Sequence, residues 1–199
     1  MENSEIKDRD LMLKNGYRKI WELAQPYLNT RQNDTHTEIS LRFACRLLEQ
    51  EEGDEEVVIP AIILHDVGWK QVPENVQLKA FGPKATMPEW NRVHEVEGAR
   101  IAKEILQKVK YDQEKTEAIL EIIEGHDSRK EPLSLNDKLV KDADKLWRYT
   151  RIGVEINRKR YEYSVDQYMH RLRSNLDPWF LTDSGREMAI EEMARQVRS

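Results

Sequence analysis

The chain has 199 residues, a single cysteine, and 32 Lys and Arg against 37 Asp and Glu, for a formal net charge of -5. That length suits one substantial core, and the slightly acidic balance argues against a surface built to coat a nucleic acid polymer. Cys45 alone makes no intrachain disulfide, the acidic start MENSEIKDRD lacks secretory character, and no apolar run approaches a bilayer span. A cytoplasmic chain without membrane contact is therefore expected.

Residues 1–10 read as polar and frayed. From Leu11 the spacing of Leu11, Leu13, Tyr17, Ile20, Trp21, Leu23 and Ala24 predicts a helix that stops near Pro26 or just after it. Asp34 or Thr35 is expected to cap the next helix, Thr35 and Glu38 having capping-box spacing, with Ile39, Phe43, Ala44, Leu47 and Leu48 inward and His36 in the first turn. Glu49 to Glu56 reads as a solvated link. Val57 to Leu64 is an apolar run broken only by Pro60, and it ends in His65-Asp66. A short apolar run does not by itself separate helix from buried strand. Helix is favoured by its neighbours, with Pro60 in the first turn and Gly68 giving an abrupt exit.

Trp69 to Glu89, with Pro73, Gly82, Pro83 and Pro88, is predicted to be irregular, the kind of long connection that forms lids and pocket walls. Trp90 opens a helix running to Val109, with His94 in its first turns and Glu97 three positions on. Asp112 to Gly125 gives another, with His126 and Asp127 at its exit. Ser134 is expected to cap a long helix reaching Ile152 and carrying Asp144 on the side of Val140 and Trp147. Val165 to Leu176 and Ser184 to Val197, separated at Asp177-Pro178, complete the pattern. The expected architecture is all-α, one domain over residues 1–199, a bundle of about seven or eight helices.

The chemistry concentrates in few residues. Of five histidines, His36, His65, His94 and His126 lie at helix ends beside core-forming segments, as do Asp66 and Asp144; His170 stands apart. Buried imidazoles and carboxylates must be paired or bound to a metal. A donor set of nitrogen and oxygen without thiolate suits Fe, Mn, Co, Ni or Zn rather than an iron–sulfur cluster. A carboxylate such as Asp66 can bridge two ions.

A histidine, then His-Asp after an apolar run, then a distal Asp within Asp-Ala-Asp-Lys-Leu resembles the HD domain superfamily of metal-dependent phosphohydrolases. The matching positions are His36, His65-Asp66 and Asp144, with Asp142 as the fallback for the last. His94 and His126 fill the extra places of the binuclear type. The resemblance implies an HD-type helical bundle with a metal-binding core over about 30–155 and additional helices at both ends. It assigns one ion to His36, His65, Asp66 and Asp144, and a second to Asp66, His94 and His126. It further implies two divalent ions, Fe or Mn first, with Co, Ni, Zn or Mg as alternatives. The implied activity is hydrolysis of a phosphomonoester or phosphodiester in a nucleotide or small metabolite by a metal-activated hydroxide.

Asp66, Lys70 and Glu97 are the candidate catalytic residues, and Lys70, Arg129 and Lys130 the candidate phosphate contacts, because they follow the ligand-bearing segments. Lys70 stands one place later than in the common His-Asp-Ile-Gly-Lys form, and the Gly-Tyr-Pro signature of cyclic di-GMP phosphodiesterases is absent. Trp69 and Phe81 are candidates for a pocket wall, Trp90 for core. Tyr149, Tyr161, Tyr163 and Tyr168 read as packing or surface, and Asp127 receives no role. An HD-type di-iron oxygenase and a non-catalytic nucleotide-binding regulatory module are the alternatives. The expected partner is a small phosphorylated molecule, with no nucleic acid polymer, and a homodimer is compatible with the sequence.

Overall fold

The computed structural model describes residues 16–83 and 85–197, so the expectations for the first ten residues, Leu11 and Leu13 lie outside the described residues. The described residues form α1 (Tyr17–Leu28), α2 (Asn33–Leu48), α3 (Glu55–Leu64), α4 (Glu74–Ala80), α5 (Glu89–Lys108), α6 (Gln113–Ile123), α7 (Leu135–Leu146), α8 (Arg151–Arg160), α9 (Val165–Ser174), α10 (Leu176–Trp179) and α11 (Asp183–Val197). Short 3-10 segments span Val67–Gln71 and Trp147–Tyr149, and no strand occurs among the described residues. The fold is all-α, as expected, with more helices than seven or eight. The surplus comes from α4, from α10, and from a break in the helix that follows Ser134.

Helix α3 is the centre. Every residue from Val57 to Leu64 is buried, and a helix apolar on all sides is stable only when packed all round. It is covered by α1, α2, α6 and α7. Its start is capped by Asp54, whose carboxylate accepts from the Glu56 amide at 2.9 Å. Pro60 sits in the second turn, not the first, where its missing N–H leaves the Glu56 carbonyl without a helical donor. The Tyr111 hydroxyl, reaching from beyond α5, donates to that carbonyl at 2.7 Å. The proline is tolerated because a distant side chain replaces its hydrogen bond.

Gly68 differs from expectation in the same instructive way. It provides no left-handed exit. A Cβ there would lie 1.9 Å from the His94 carbonyl oxygen and 2.4 Å from the Gly98 amide nitrogen. The glycine instead lets the 3-10 segment Val67–Gln71 press directly onto α5, and this contact brings His65-Asp66 to the face of His94.

Helix α2 starts at Asn33, ahead of the predicted caps, and has no side-chain cap. The chain enters it through two left-handed residues, Arg31 (φ 53°) and Gln32 (φ 62°). Such conformations cost about 1 kcal/mol or more per non-glycine residue. The turn is held by Arg31 Nη1 donating to the Gln77 carbonyl at 2.8 Å and by Arg160 Nη2 donating to the Arg31 carbonyl at 2.7 Å. Ser134 caps α7 as expected, its hydroxyl accepting from the Asp137 amide at 3.2 Å. That helix ends at Leu146, however, and Thr150 caps α8 afresh, its hydroxyl accepting from the Gly153 amide at 3.0 Å. Helix α1 ends at Leu28, just after Pro26, as expected, and Asp177-Pro178 lies inside the short α10 that separates α9 from α11. The 69–89 stretch is largely ordered as the first 3-10 segment and α4, with 81–83 and 85–88 irregular.

Candidate metal centre

Six side chains from five places in the chain converge: His36 from α2, His65-Asp66 after α3, His94 from α5, His126 after α6, and Asp144 from α7. All six residues are buried. His36 Nε2 lies 2.8 Å from His65 Nε2 and 3.2 Å from Asp144 Oδ1, and His65 Nε2 lies 3.6 Å from the same oxygen. On the other side His94 Nε2 and His126 Nε2 are 3.3 Å apart. Asp66 stands between the groups. Its Oδ2 faces His36 and His65 at 3.4 and 3.8 Å, while its Oδ1 faces His126 and His94 at 3.5 and 3.8 Å.

The histidines are held in two ways. His65 and His126 each follow a helix end and turn Nδ1 back onto the carbonyl three residues earlier, Ile62 and Ile123, both at 2.8 Å. Each ring thereby adds a donor to one of the last carbonyls of its helix, where regular helical partners run out. With the proton on Nδ1, the neutral ring presents its Nε2 lone pair to the cluster, the arrangement found in metal-ligating histidines. His36 and His94 lie within helices and are held by rings. Trp147 meets His36 edge-on at 4.7 Å, and Trp69 stacks on His94 at 4.2 Å with 12° between planes. Trp69 also donates from Nε1 to Asp66 Oδ1 at 3.1 Å, so one indole orients a histidine and the central carboxylate together.

The electrostatics fit a cation. Burial alone would raise Asp66, but His65 and His126 hold it well below the usual carboxylate range. Asp144 is likewise held down against burial, chiefly by Arg148 and then His36. Burial pushes His126 down, yet Asp127 and Asp66 outweigh it and hold the ring at about 9. His94 falls to about 3 through burial and the adjacent His126. Burial likewise pushes His36 down, so His36 and His94 are biased toward the neutral imidazole that can bind a metal, while Asp66 and Asp144 are biased toward the carboxylate. Two ligand atoms each about 2.1 Å from one ion stand about 3.0–3.4 Å apart, within the observed 2.8–3.8 Å. The donors suit divalent metals with nitrogen and oxygen preference.

Asp127 lies in the cluster too. Its Oδ2 is 3.6 Å from His94 Nε2 and 3.8 Å from His126 Nε2. The backbone around it is clamped from both sides: Glu95 Oε1 accepts from the Asp127 and Ser128 amides at 3.0 and 2.8 Å, and Lys141 Nζ donates to the Gly125 and His126 carbonyls at 2.6 and 3.0 Å. Both clamping side chains are buried. The sequence did carry a signal for Asp127, since Ile123-Glu124-Gly125-His126-Asp127 repeats the helix-end pattern of Ile62-Ile63-Leu64-His65-Asp66. Asp142 turns away from the centre and accepts from the Leu181 and Thr182 amides, both at 2.9 Å, as its divergence from Asp144 on one helix requires.

A cavity of about 290 Å³ opens beside the centre, reaching it at Asp127 and Asp144. Its walls carry Lys145, Arg148 and Arg171 among Phe81, Tyr161 and Trp179. A narrower crevice next to it brings in Arg31, Arg160 and Trp69 with His36 and Asp66. Arg148 Nη1 donates to the Asp144 carbonyl at 2.7 Å and stands 3.3 Å from its Oδ2. Arg31 lies over Trp69 at 3.7 Å, and its Nε has no hydrogen-bond partner among the described residues.

The structure does not bring the expected cations there. Lys70 donates to the Asn29 carbonyl, Arg129 to the Glu121 carbonyl, and Lys130 is exposed. Glu97 pairs with Arg100 on the outside of α5. None of the four lines the cavity or the crevice. Trp69 and Phe81 do line this region, while Trp90 packs in a small core beside Val72 and Val76. Tyr161 and Tyr168, read from sequence as packing or surface, are cavity residues. Arg148 had a local signal, four residues after Asp144 on one helix. Arg31, Arg160 and Tyr161 had none, because tertiary packing alone brings them to the centre.

An all-α bundle with a buried histidine–carboxylate cluster defines a metal-binding class of helical proteins. The HD domain family model matches residues 33–149, and the chain belongs to that family. HD domains bind divalent metals and are typically metal-dependent hydrolases. Among solved structures the chain is similar to one described as a predicted HD superfamily hydrolase from an uncultured Thermotogales bacterium. Identity is 20% and the TM-score 0.66, over 96% of this chain and 92% of that one. At that identity the likeness shows the shared fold. No curated protein matches.

Proposed function

We propose that this protein is a metal-dependent phosphohydrolase acting on a nucleotide or other small phosphorylated metabolite, with two divalent ions held by His36, His65, Asp66, Asp144, His94 and His126. The observation that carries this reading is the placement of a cationic and aromatic cavity against the open side of the histidine–carboxylate centre. Bound divalent ions lower the pKa of water and offset charge on phosphoryl oxygens.

The chain's own residues complete the site. Arg31, with an unpartnered Nε, and Arg160, beside the crevice, are the cations available to phosphoryl oxygens; guanidinium groups suit such oxygens because they can donate two parallel hydrogen bonds. Arg148 neutralises and orients Asp144. Phe81, Tyr161 and Trp179 provide apolar faces for the remainder of the substrate, and Gly82 lies directly under the Tyr161 ring. A screen of nucleotides and small phosphoesters, run separately with Mn, Fe, Co, Ni and Mg, tests the proposal. Metal-dependent release of phosphate or of a nucleoside monophosphate is the expected result. No turnover by metal-loaded protein across the panel, with oxygen consumed when an organic substrate is supplied to the iron form, would contradict it and favour oxygenase chemistry.

A further inference from the structure

We infer that Asp127 is the terminal carboxylate ligand of the second metal ion, so that each ion is held by the same donor set of two histidines, one terminal Asp and one oxygen of Asp66. The inference rests on the metal-centre reading above and is independent of whether the reaction is phosphoester hydrolysis.

Distances give the first argument. Asp144 Oδ1 stands 3.2 and 3.6 Å from His36 and His65 Nε2; Asp127 Oδ2 stands 3.6 and 3.8 Å from His94 and His126 Nε2. Asp66 divides its two oxygens between the same two pairs. His94, His126 and Asp127 therefore form a second three-residue pocket comparable to that of His36, His65 and Asp144.

Preorganisation gives the second. Residues 125–128 lie outside α6, where a carboxylate on a free loop would turn to water. Here the buried Glu95 carboxylate takes the two amides that follow His126, and the buried Lys141 ammonium takes the carbonyls of Gly125 and His126. Charged partners on both edges of four residues fix the direction of both side chains, as outer-shell hydrogen bonds do for metal ligands. Glu95 is the immediate neighbour of His94, so one turn of α5 supplies a ligand and the clamp for two others.

Charge gives the third. Without Asp127 the second ion would share a single carboxylate with the first and meet otherwise neutral donors. With it, three carboxylates face two dications, and the two sites are of like hardness, selecting the same kind of metal.

The test is titration of chelator-stripped protein with Mn²⁺ by calorimetry, with bound metal counted by mass spectrometry, for wild type, Asp127→Asn and Asp144→Asn. Asparagine keeps size and a carbonyl oxygen, and thermal unfolding of the stripped proteins reports whether each variant is folded. The expected result is that Asp127→Asn weakens one equivalent by about ten- to a hundredfold and leaves the other within about twofold, while Asp144→Asn weakens the other equivalent instead. Two equivalents at wild-type affinity in folded Asp127→Asn would overturn the inference, as would equal weakening of both. Wild type that binds one equivalent, unchanged by Asp127→Asn, also overturns it. Wild type that binds none removes the metal-centre reading itself, whereas failure of the phosphoester screen leaves the inference standing.

Discussion

Asp66 shows how much a single side chain can be asked to do. It follows a fully buried helix, faces four imidazoles with two oxygens, and accepts a hydrogen bond from Trp69. Its position was legible because an ionisable pair directly after eight apolar residues has few alternatives to a paired or metal-bound state. Trp69 was legible only as a large aromatic near the site. Its double contact, stacked on His94 and bonded to Asp66, depends on the 3-10 turn after His65. Trp69→Phe retains the stacking face and removes the hydrogen bond. It is expected to weaken Mn²⁺ binding by about tenfold, the lower end of outer-shell effects, with thermal stability little altered. Calorimetric titration checks this, and unchanged affinity would show that the indole N–H does not orient the carboxylate.

At the scale of elements, the sequence spoke clearly where the chain obeys local rules. Ser134 caps its helix as expected, and the helical periodicity from Trp90 onward marks α5 well, whereas Thr150, inside a stretch expected to be one helix, caps a new one. The sequence misled where tertiary contacts replace local signals. Pro60 is carried in mid-helix by Tyr111, and the start of α2 is set by a left-handed turn pinned from Gln77 and Arg160. Gly68 is the sharpest instance, since its role is the approach of two backbones that sequence spacing does not encode. Gly68→Ala is therefore expected to cost about 3 kcal/mol or more, the upper range for forced overpacking, because the clashing atoms are backbone and cannot swing aside. Urea unfolding of metal-free protein measures it; a loss below about 0.5 kcal/mol, the range of ordinary surface changes, would contradict the close contact described.

For the whole molecule, the bundle gathers the six side chains of the cluster from the ends or first turns of five helices that sequence order keeps far apart. The buried core holds these ends in place: α3 is enclosed, α7 packs on α2 and α3, and Asp142 ties the start of α11 to α7 through the amides and hydroxyl of Leu181 and Thr182. No helix among the described residues is long and apolar enough to cross a membrane. The all-α fold could be read from helical periodicity, and the six residues that converge could be singled out by their chemical cost of burial and by resemblance to the HD superfamily. The cavity could not, because Arg31, Arg148, Arg160, Tyr161 and Trp179 become neighbours only once the later helices fold back over α2 and α7. The central claim is that one carboxylate, Asp66, joins two metal sites. The most direct test is the metal content of purified, Mn²⁺-loaded wild type and Asp66→Ala, counted by mass spectrometry on protein confirmed as folded. The account predicts two ions per chain in the wild type and almost none in the variant; unchanged metal content in Asp66→Ala would contradict it.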